Sequence, residues 1–297
     1  MKSVLTIPMG TLHGLLVHGD NLELLASLPG AIADLIVTDP PFFTDKIRTV
    51  PRSTSRTNSN GATEASFDDR WRDLDQYKKF LRIRLEEARR ILKTDGSIVL
   101  HLDYRVVHDI RTEMDRIFGR RQFINEIIWH YTGGGRSRRY FSRKHDTLLW
   151  YAKGKQWTFN IDAVRVPYES SSGYAHSGIV GRNGKRYRPH PLGTPVDDVW
   201  DIPIINPLSK ERCGFPTQKP EKLLKRILLA MSNEGDLVID PFCGSGTSVV
   251  VAEQLGRRWI ACDVTEQAIA ITAKRLEEIG AGRRFKTAQL GNSEHTS

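Results

Sequence analysis

The chain has 297 residues, with 44 Lys and Arg against 35 Asp and Glu, a formal charge of +9. That is enough for one large domain or two modest ones. No apolar run approaches the ~20 residues that span a bilayer, which excludes an integral helical membrane protein. Cys213, Cys243 and Cys262 are odd in number and far apart, so neither a disulfide scaffold nor a paired-cysteine zinc site is expected. The opening MKSVLTIPMGTLHG has no long apolar stretch and no small-residue cleavage site, so no secretory signal is expected and a reducing cytoplasm fits best.

The charge is unevenly placed. Thr132 to His190 carries 12 Lys or Arg against Asp146, Asp162 and Glu169, a difference of +9, leaving the rest of the chain near neutral. A basic block inside an otherwise balanced protein points to a polyanionic partner rather than to a solubility device.

Strand-like and helix-like runs alternate along the chain, which predicts a mostly parallel sheet with helices on its faces. LLVHGD (15–20) reads as a short strand ending in an acid, and NLELLASLP (21–29) as one or two helical turns capped by Asp20 or Asn21. ADLIVTD (33–39) is apolar enough for a strand buried on both faces. It ends on Asp39, followed by two prolines and two phenylalanines. Residues 43–68 are polar and aperiodic, a connection long enough to suggest function or disorder. Residues 74–93 put Phe80, Leu81, Leu85, Ala88, Ile91 and Leu92 on one helical stripe. SIVLHLD (97–103) is a further buried strand. NEIIWHY (125–131) and DTLLWYAK (146–153) read as another pair, with an antiparallel arrangement across the basic loop as one option. Residues 154–216, rich in Gly, Pro, Arg and Tyr, suggest a small irregular subdomain.

The α/β rhythm then resumes. Pro220 opens a helix with Leu223, Leu224, Ile227, Leu228 and Met231 on one face. DLVID (236–240) is a strand, TSVVVAEQLG a helix ending at Gly256, and RWIACD (258–263) a strand. TEQAIAITAKRLEEIG (265–280) is a helix capped by Thr265 and stopped by Gly280, with a loosely ordered tail from about Gly282.

Between one of these strands and its helix stands DPFCGSGT (240–247). Glycines at the carboxyl end of a parallel strand let backbone approach a ligand, and the following helix offers free N–H groups. The segment lacks the Lys of a phosphate loop and the three-glycine dinucleotide spacing. The next strand ends in Asp263, 17 residues beyond Gly246, where a carboxylate is placed to hold a ribose diol. Strand, glycine turn, helix, strand and acid, in that order, point to a nucleoside-containing cofactor.

TDPPF (38–42), VHGD (17–20), TQKPEKLL (217–224) and DPFCGSGT (240–247) together resemble the signature blocks of DNA amino-methyltransferases that use S-adenosylmethionine. Their order, catalytic block first and cofactor block last, resembles the β group, a circular permutation of the usual methyltransferase fold. The resemblance spans about 15–280. It implies a doubly wound, mostly parallel, seven-stranded Rossmann-like α/β sheet with a small basic target-recognition insertion. Residues 1–153 would form the catalytic half, 154–216 the target-recognition region (its basic segment starting near 132), 217–281 the cofactor half and 282–297 a tail.

Carried over position by position, the resemblance places Asp240, Phe242, Cys243, Gly244, Ser245, Gly246 and Thr247 around the methionine end of S-adenosylmethionine. It puts Asp263 on the ribose and Asp20 on the cofactor's adenine amino group, with Gln218 and Lys219 closing the pocket. Asp39 and the carbonyl of Pro40 would accept the two hydrogens of the target amino group. Pro40 and Pro41 would hold those acceptors rigidly, and Phe42 would stack on a base turned out of the helix. Direct transfer forms no covalent enzyme intermediate, so no Cys, Ser or metal is needed. Arg136, Arg138, Arg139, Arg143 and Lys144, with Arg182, Lys185, Arg186 and Arg188, would contact DNA. Apart from what the resemblance implies, the loop after DPPF carries Lys46, Arg48, Arg52 and Arg56 and is expected either to close over the flipped adenine or to fill the vacated stack.

In this family an aspartate before Pro-Pro goes mostly with adenine N6, and Asp39 therefore points to adenine. Cytosine N4 is the enzymatic alternative, and a catalytically silent DNA-binding module is the alternative from another class. The implied partners are double-stranded DNA and a cognate restriction endonuclease, with the protein a monomer or homodimer.

Overall fold

Strands with apolar side chains on both faces need a layer of helices on each side, and that requirement organises the chain. The computed structural model describes residues 13–44, 47–49, 66–133, 135–169, 173, 177–282 and 284–290. In chain order its strands are β1 (Gly14–His18), β2 (Ala33–Thr38), β3 (Ile47–Thr49), β4 (Ser66–Asp68), β5 (Leu92–Leu102), β6 (Phe123–His130), β7 (His145–Ala152), β8 (Ile179–Val180), β9 (Arg186–Tyr187), β10 (Val199–Asp201), β11 (Leu237–Asp240), β12 (Arg258–Asp263) and β13 (Phe285–Gln289). The helices are α1 (Asn21–Ser27), α2 (Leu74–Ile91), α3 (Val107–Phe118), α4 (Glu221–Met231), α5 (Thr247–Gln254) and α6 (Glu266–Glu278).

One sheet runs β10-β6-β7-β5-β2-β11-β12-β1-β13. It is parallel except for β7, which pairs antiparallel with both β5 and β6. Side chains alternate across it. Leu35 and Ile36, adjacent in β2, go to opposite layers: Ile36 belongs to the core that includes Leu81 and Leu85 of α2 and Ile110 of α3, and Leu35 to the core that includes Leu224 of α4 and Val250 of α5. The sheet has nine strands where seven were expected. The additions are its two edges. β10 comes from the irregular basic region and pairs with β6 through Trp200↔Trp129, and Trp200 is buried. β13 pairs with β1, so a strand stands where a loose tail was expected.

Helix starts follow side-chain chemistry. Asp20 caps α1, its carboxylate accepting from Leu22 N at 2.7 Å, and Asp73 caps α2, accepting from Gln76 N at 2.8 Å. Thr265 stands at the start of α6 but makes no side-chain cap; its hydroxyl donates to Asp263 at 2.8 Å instead. Among the described residues no helix is long and apolar enough to cross a membrane, and no group of three or more His, Cys, Asp or Glu has a metal-binding arrangement. Lys46, Arg52 and Arg56, and the side chain of Arg48, lie outside what the structure describes.

Candidate active site

Ligands of open parallel sheets gather at the carboxyl ends of strands, beside the point where strand order reverses. Here β2 and β11 are neighbours at the sheet centre. Asp39 follows β2, Asp240 ends β11, Asp263 ends β12 and Asp20 lies two residues past β1. All four line one cavity that, mouth included, encloses about 1310 Å³ of atom-free space. The cavity's charge opposes that of the chain. Asp20, Asp39, Asp69, Asp240 and Asp263 line it, against Arg84, Lys219 and His101 among the basic residues.

The glycine loop shapes one side. Gly244 and Gly246 have φ of 50° and 71°, a region that favours glycine. A Cβ on Gly246 would lie 2.4 Å from the Thr272 side chain. Asp263 accepts from Gly244 N at 2.9 Å and from Thr265 N at 2.9 Å, tying the loop to the end of β12. Arg275 of α6 holds the loop from behind, donating to the Ser245 carbonyl at 2.7 Å and to Thr247 Oγ1 at 3.0 Å. Burial raises the carboxyl groups of both Asp263 and Asp240, the latter to about 7, although Ser248 Oγ and Phe242 N donate to Asp240. Burial also pushes the Cys243 thiol up, so this cysteine is an inert wall rather than a nucleophile.

Asp20 is held from α2. Arg84 donates to its two carboxylate oxygens at 2.9 and 3.2 Å, donates through Nε to Asn21 Oδ1 at 2.6 Å, and lies 3.7 Å over the Phe80 ring. Asn21 in turn donates to the Pro241 carbonyl at 2.8 Å, linking the start of α1 to the glycine loop. Phe80 and Phe242, with ring centroids 6.1 Å apart, present two aromatic surfaces to the cavity.

On the other side, Asp39 stands between two cations. His101, on β5, lies with Nδ1 2.8 Å from Asp39 Oδ1, and Lys219 Nζ donates to Oδ2. Burial alone would raise this carboxyl, but Lys219 and His101 override it and hold it at about 2. His101 Nε2 faces Asp146 of β7 at 3.2 Å, and Tyr131 donates to the other oxygen of Asp146 at 3.2 Å. With a carboxylate at each nitrogen, only the imidazolium donates to both. Asp39 and Asp146 outweigh the burial that disfavours this charge, so the His101 pKa is raised.

Tyr77 holds the Pro-Pro turn by donating to the Pro41 carbonyl at 3.0 Å, and Phe43 packs edge-on to the Tyr77 ring. The second phenylalanine therefore belongs to the core. Phe42 faces the cavity, its ring 5.5 Å from that of His101 and 5.3 Å from Lys219 Nζ.

The residues singled out from sequence divide as follows. Asp39, Pro40, Pro41, Phe42, Asp20, Asp240, Phe242, Cys243, Gly244, Ser245, Thr247 and Asp263 line the cavity. Gly246 turns the loop from just behind the wall. Lys219 lines the cavity but is directed at Asp39 rather than at the glycine loop. Gln218 lies outside the lining, because its amide is engaged with the Glu211 carbonyl at 2.6 Å and Cys213 N at 2.9 Å.

Arg136, Arg138, Arg139 and Arg143 are exposed on the β6–β7 loop, and Arg182, Lys185, Arg186 and Arg188 are exposed on the β8–β9 hairpin. Lys144 is directed inward and donates to the Gly133 and Gly135 carbonyls. Sequence reasoning missed His101, Asp146, Tyr131, Arg84 and Asn21. His101 carries a faint signal, a lone imidazole inside an apolar strand; the others carry none.

The model of the DNA methylase family matches residues 33–274. The chain belongs to the DNA methylase family. The methylase is 32% identical over 263 residues to the type II methyltransferase M.HpaI of Haemophilus parainfluenzae, covering 88% of this chain and 74% of the relative. It is 30% identical over 292 residues to the DNA adenine methyltransferase YhdJ of Escherichia coli (strain K12), covering 95% and 92%.

The methylase also shares its fold with solved structures at lower identity. The cytosine-N4-specific PvuII DNA methyltransferase superposes with a TM-score of 0.62 at 19% identity, covering 94% of this chain and 95% of that one. The M1.HpyAVI–SAM complex gives 0.56 at 20% identity, covering 89% and 98%.

Proposed function

We propose that the methylase transfers a methyl group from S-adenosylmethionine to the N6 amino group of an adenine turned out of double-stranded DNA, as the modification activity of a restriction system. The observation that carries this reading is the meeting of Asp39-Pro40-Pro41-Phe42 with Asp240, Gly244 and Asp263 in one cavity, from segments some 200 residues apart. YhdJ is named as an adenine methyltransferase and M.HpaI as a type II methyltransferase, and Asp39 before the prolines agrees with the former.

The cavity fits the cofactor. S-adenosylmethionine is a cation with a nucleoside at one end, and the site offers a surplus of carboxylates, aromatic rings and a glycine loop. Asp240 and the loop 242–247 would hold its methionine end, Asp263 its ribose and Asp20 its adenine. When bound, S-adenosylmethionine supplies a methyl group on a positively charged sulfur, which the amino nitrogen takes directly in a single displacement.

This chain's residues prepare that nitrogen. An exocyclic amine shares its lone pair with the base and is a poor nucleophile. Asp39 would accept one of its hydrogens and the Pro40 carbonyl the other, drawing the nitrogen toward tetrahedral geometry in a rigid frame. With its carboxyl held at about 2, Asp39 acts as a hydrogen-bond acceptor rather than as a base. No base is needed before transfer, because the methylated amine is cationic and loses its proton readily. Phe42 would offer a face to the extruded base, offsetting part of the few kcal/mol of unstacking.

Residues 154–216 and the basic loop before them serve as the target-recognition region, acting in the cytoplasm on DNA shared with a cognate endonuclease. Incubating the protein with labelled S-adenosylmethionine and mixed-sequence duplex DNA, then digesting to nucleosides, tests the reading. N6-methyldeoxyadenosine is the expected product, and N4-methyldeoxycytidine or an unlabelled digest would overturn it.

A further inference from the structure

The side chain of Phe141 is 99% exposed, an unusual state for the most apolar of the aromatic residues. It does not hang from a loose strand of chain. The β6–β7 loop that carries it is closed at its base by Tyr131 N donating to the Lys144 carbonyl at 2.9 Å. Inside the loop, Ser137 N donates to Ser142 Oγ at 2.9 Å, and Arg139 N donates to Ser137 Oγ at 3.2 Å. Arg143 joins the loop to the body of the protein, its guanidinium 4.2 Å over the Tyr104 ring and 4.6 Å over the Tyr140 ring. Tyr104 follows β5, the strand that carries His101.

The loop is therefore a built platform at the carboxyl end of the sheet, and it shares residues with the site. Tyr131 at its base donates to Asp146, which reaches Asp39 through His101. Phe141 stands five residues from Asp146, at most about 18 Å along the chain. Exposed Arg138, Arg139 and Arg143 surround it in sequence. Cations take phosphates on either side of a groove, and an apolar ring between them has one favourable destination in DNA, the interior of the base stack.

We infer that Phe141 is a wedge that enters the DNA stack and fills the space left when the target base is turned into the cavity. The inference rests on the base-extruding reading proposed above and deepens it. The arginines hold the backbone while the ring replaces the stacking that the departing base gives up. Phe42 and Phe141 then act on opposite ends of one movement, the first receiving the base and the second closing the gap behind it.

Modified-base sequencing of DNA from cells expressing the protein supplies the recognition site. Duplexes carrying that site, with 2-aminopurine at the target position, report extrusion by a rise in fluorescence. Wild type should give the rise, whereas Phe141→Ala should lose at least about fivefold of it while duplex affinity, measured by anisotropy, changes by less than about threefold. Phe141→Trp should keep it. In single-turnover methylation the alanine variant should be slowed at least about tenfold on a paired target and less than about threefold on a target opposite an abasic position, where extrusion needs little help.

An unchanged fluorescence rise in Phe141→Ala, or equal slowing on both duplexes, overturns the wedge. No rise with the wild-type protein overturns the base-extruding reading itself, a distinguishable failure.

Discussion

Replacing His101 by glutamine tests the buried relay behind Asp39. The imidazole is 5% exposed and faces Asp39 at 2.8 Å and Asp146 at 3.2 Å. Burial works against its charge, but the two carboxylates prevail and raise its pKa above 6.5. Because the folded value lies above the unfolded one, the stabilisation is complete below pH 6.5 and is lost as the pH climbs through the folded value. Hydrogen bonds to charged groups contribute roughly 1.5–3 kcal/mol each. Glutamine keeps at most one of the two contacts, and without charge. His101→Gln should therefore lower the unfolding free energy by about 2–4 kcal/mol at about pH 6, and by clearly less at about pH 9. Urea denaturation at the two pH values measures the difference.

The same substitution loosens one side of the clamp on Asp39. Single-turnover methyl transfer should fall on the order of 100-fold, as small misplacements of positioned groups do, while cofactor affinity changes by less than about threefold. A stability deficit equal at both pH values would refute the imidazolium, and undiminished transfer would refute the positioning role.

Asp39→Asn keeps the shape of the acceptor and removes its charge; transfer should drop by about 1000-fold or more with cofactor affinity nearly unchanged, and equilibrium dialysis beside a methylation assay checks both. Asp240 is raised to about 7 by burial, so the stabilisation from its neutral form is present below 3.8 and lost as the pH rises through about 7. A cationic cofactor beside it favours the carboxylate, so S-adenosylmethionine should bind more tightly at about pH 8 than at about pH 6 and release protons on binding at the lower value. Calorimetry in two buffers of different ionisation enthalpy counts those protons. Gly246→Ala brings a Cβ to 2.4 Å from Thr272 at a φ of 71°. It should destabilise the protein by about 1–3 kcal/mol and weaken cofactor binding at least about tenfold, read by thermal unfolding and titration.

What the sequence made legible were the features that chemistry writes locally. Asp39 before two prolines, Gly244 and Gly246 after a strand, and Asp263 at the end of the next strand each combine a residue type with a position in an element. The β6–β7 pairing was also readable, since two apolar runs flank one loop. His101, Asp146 and Arg84 were not, because their roles come from which strands and helices lie side by side. Asp146 matters only because β7 runs antiparallel beside β5, which sets Thr147 opposite Leu102. β13 escaped notice because FKTAQ at a sheet edge needs neither a long apolar run nor strict alternation. Gln218 was expected in the pocket because of the block it belongs to; Glu211 and Cys213, which hold it elsewhere, come from a stretch without periodicity.

The order of strands also dictates when the protein becomes a protein. β1 leaves the ribosome early, yet it lies between β12 and β13, pairing Leu16 with Ala261 on one side and with Thr287 on the other. β2 likewise waits for β11, its Ile36 opposite Ile239. Contacts of such separation are slow to form and leave apolar edges bare in the meantime. The two halves of the cavity are the two sides of that seam. A chain interrupted before β11 would keep Asp39 with His101 and Lys219 but would lack Asp240, Gly244 and Asp263, the far side of the cavity.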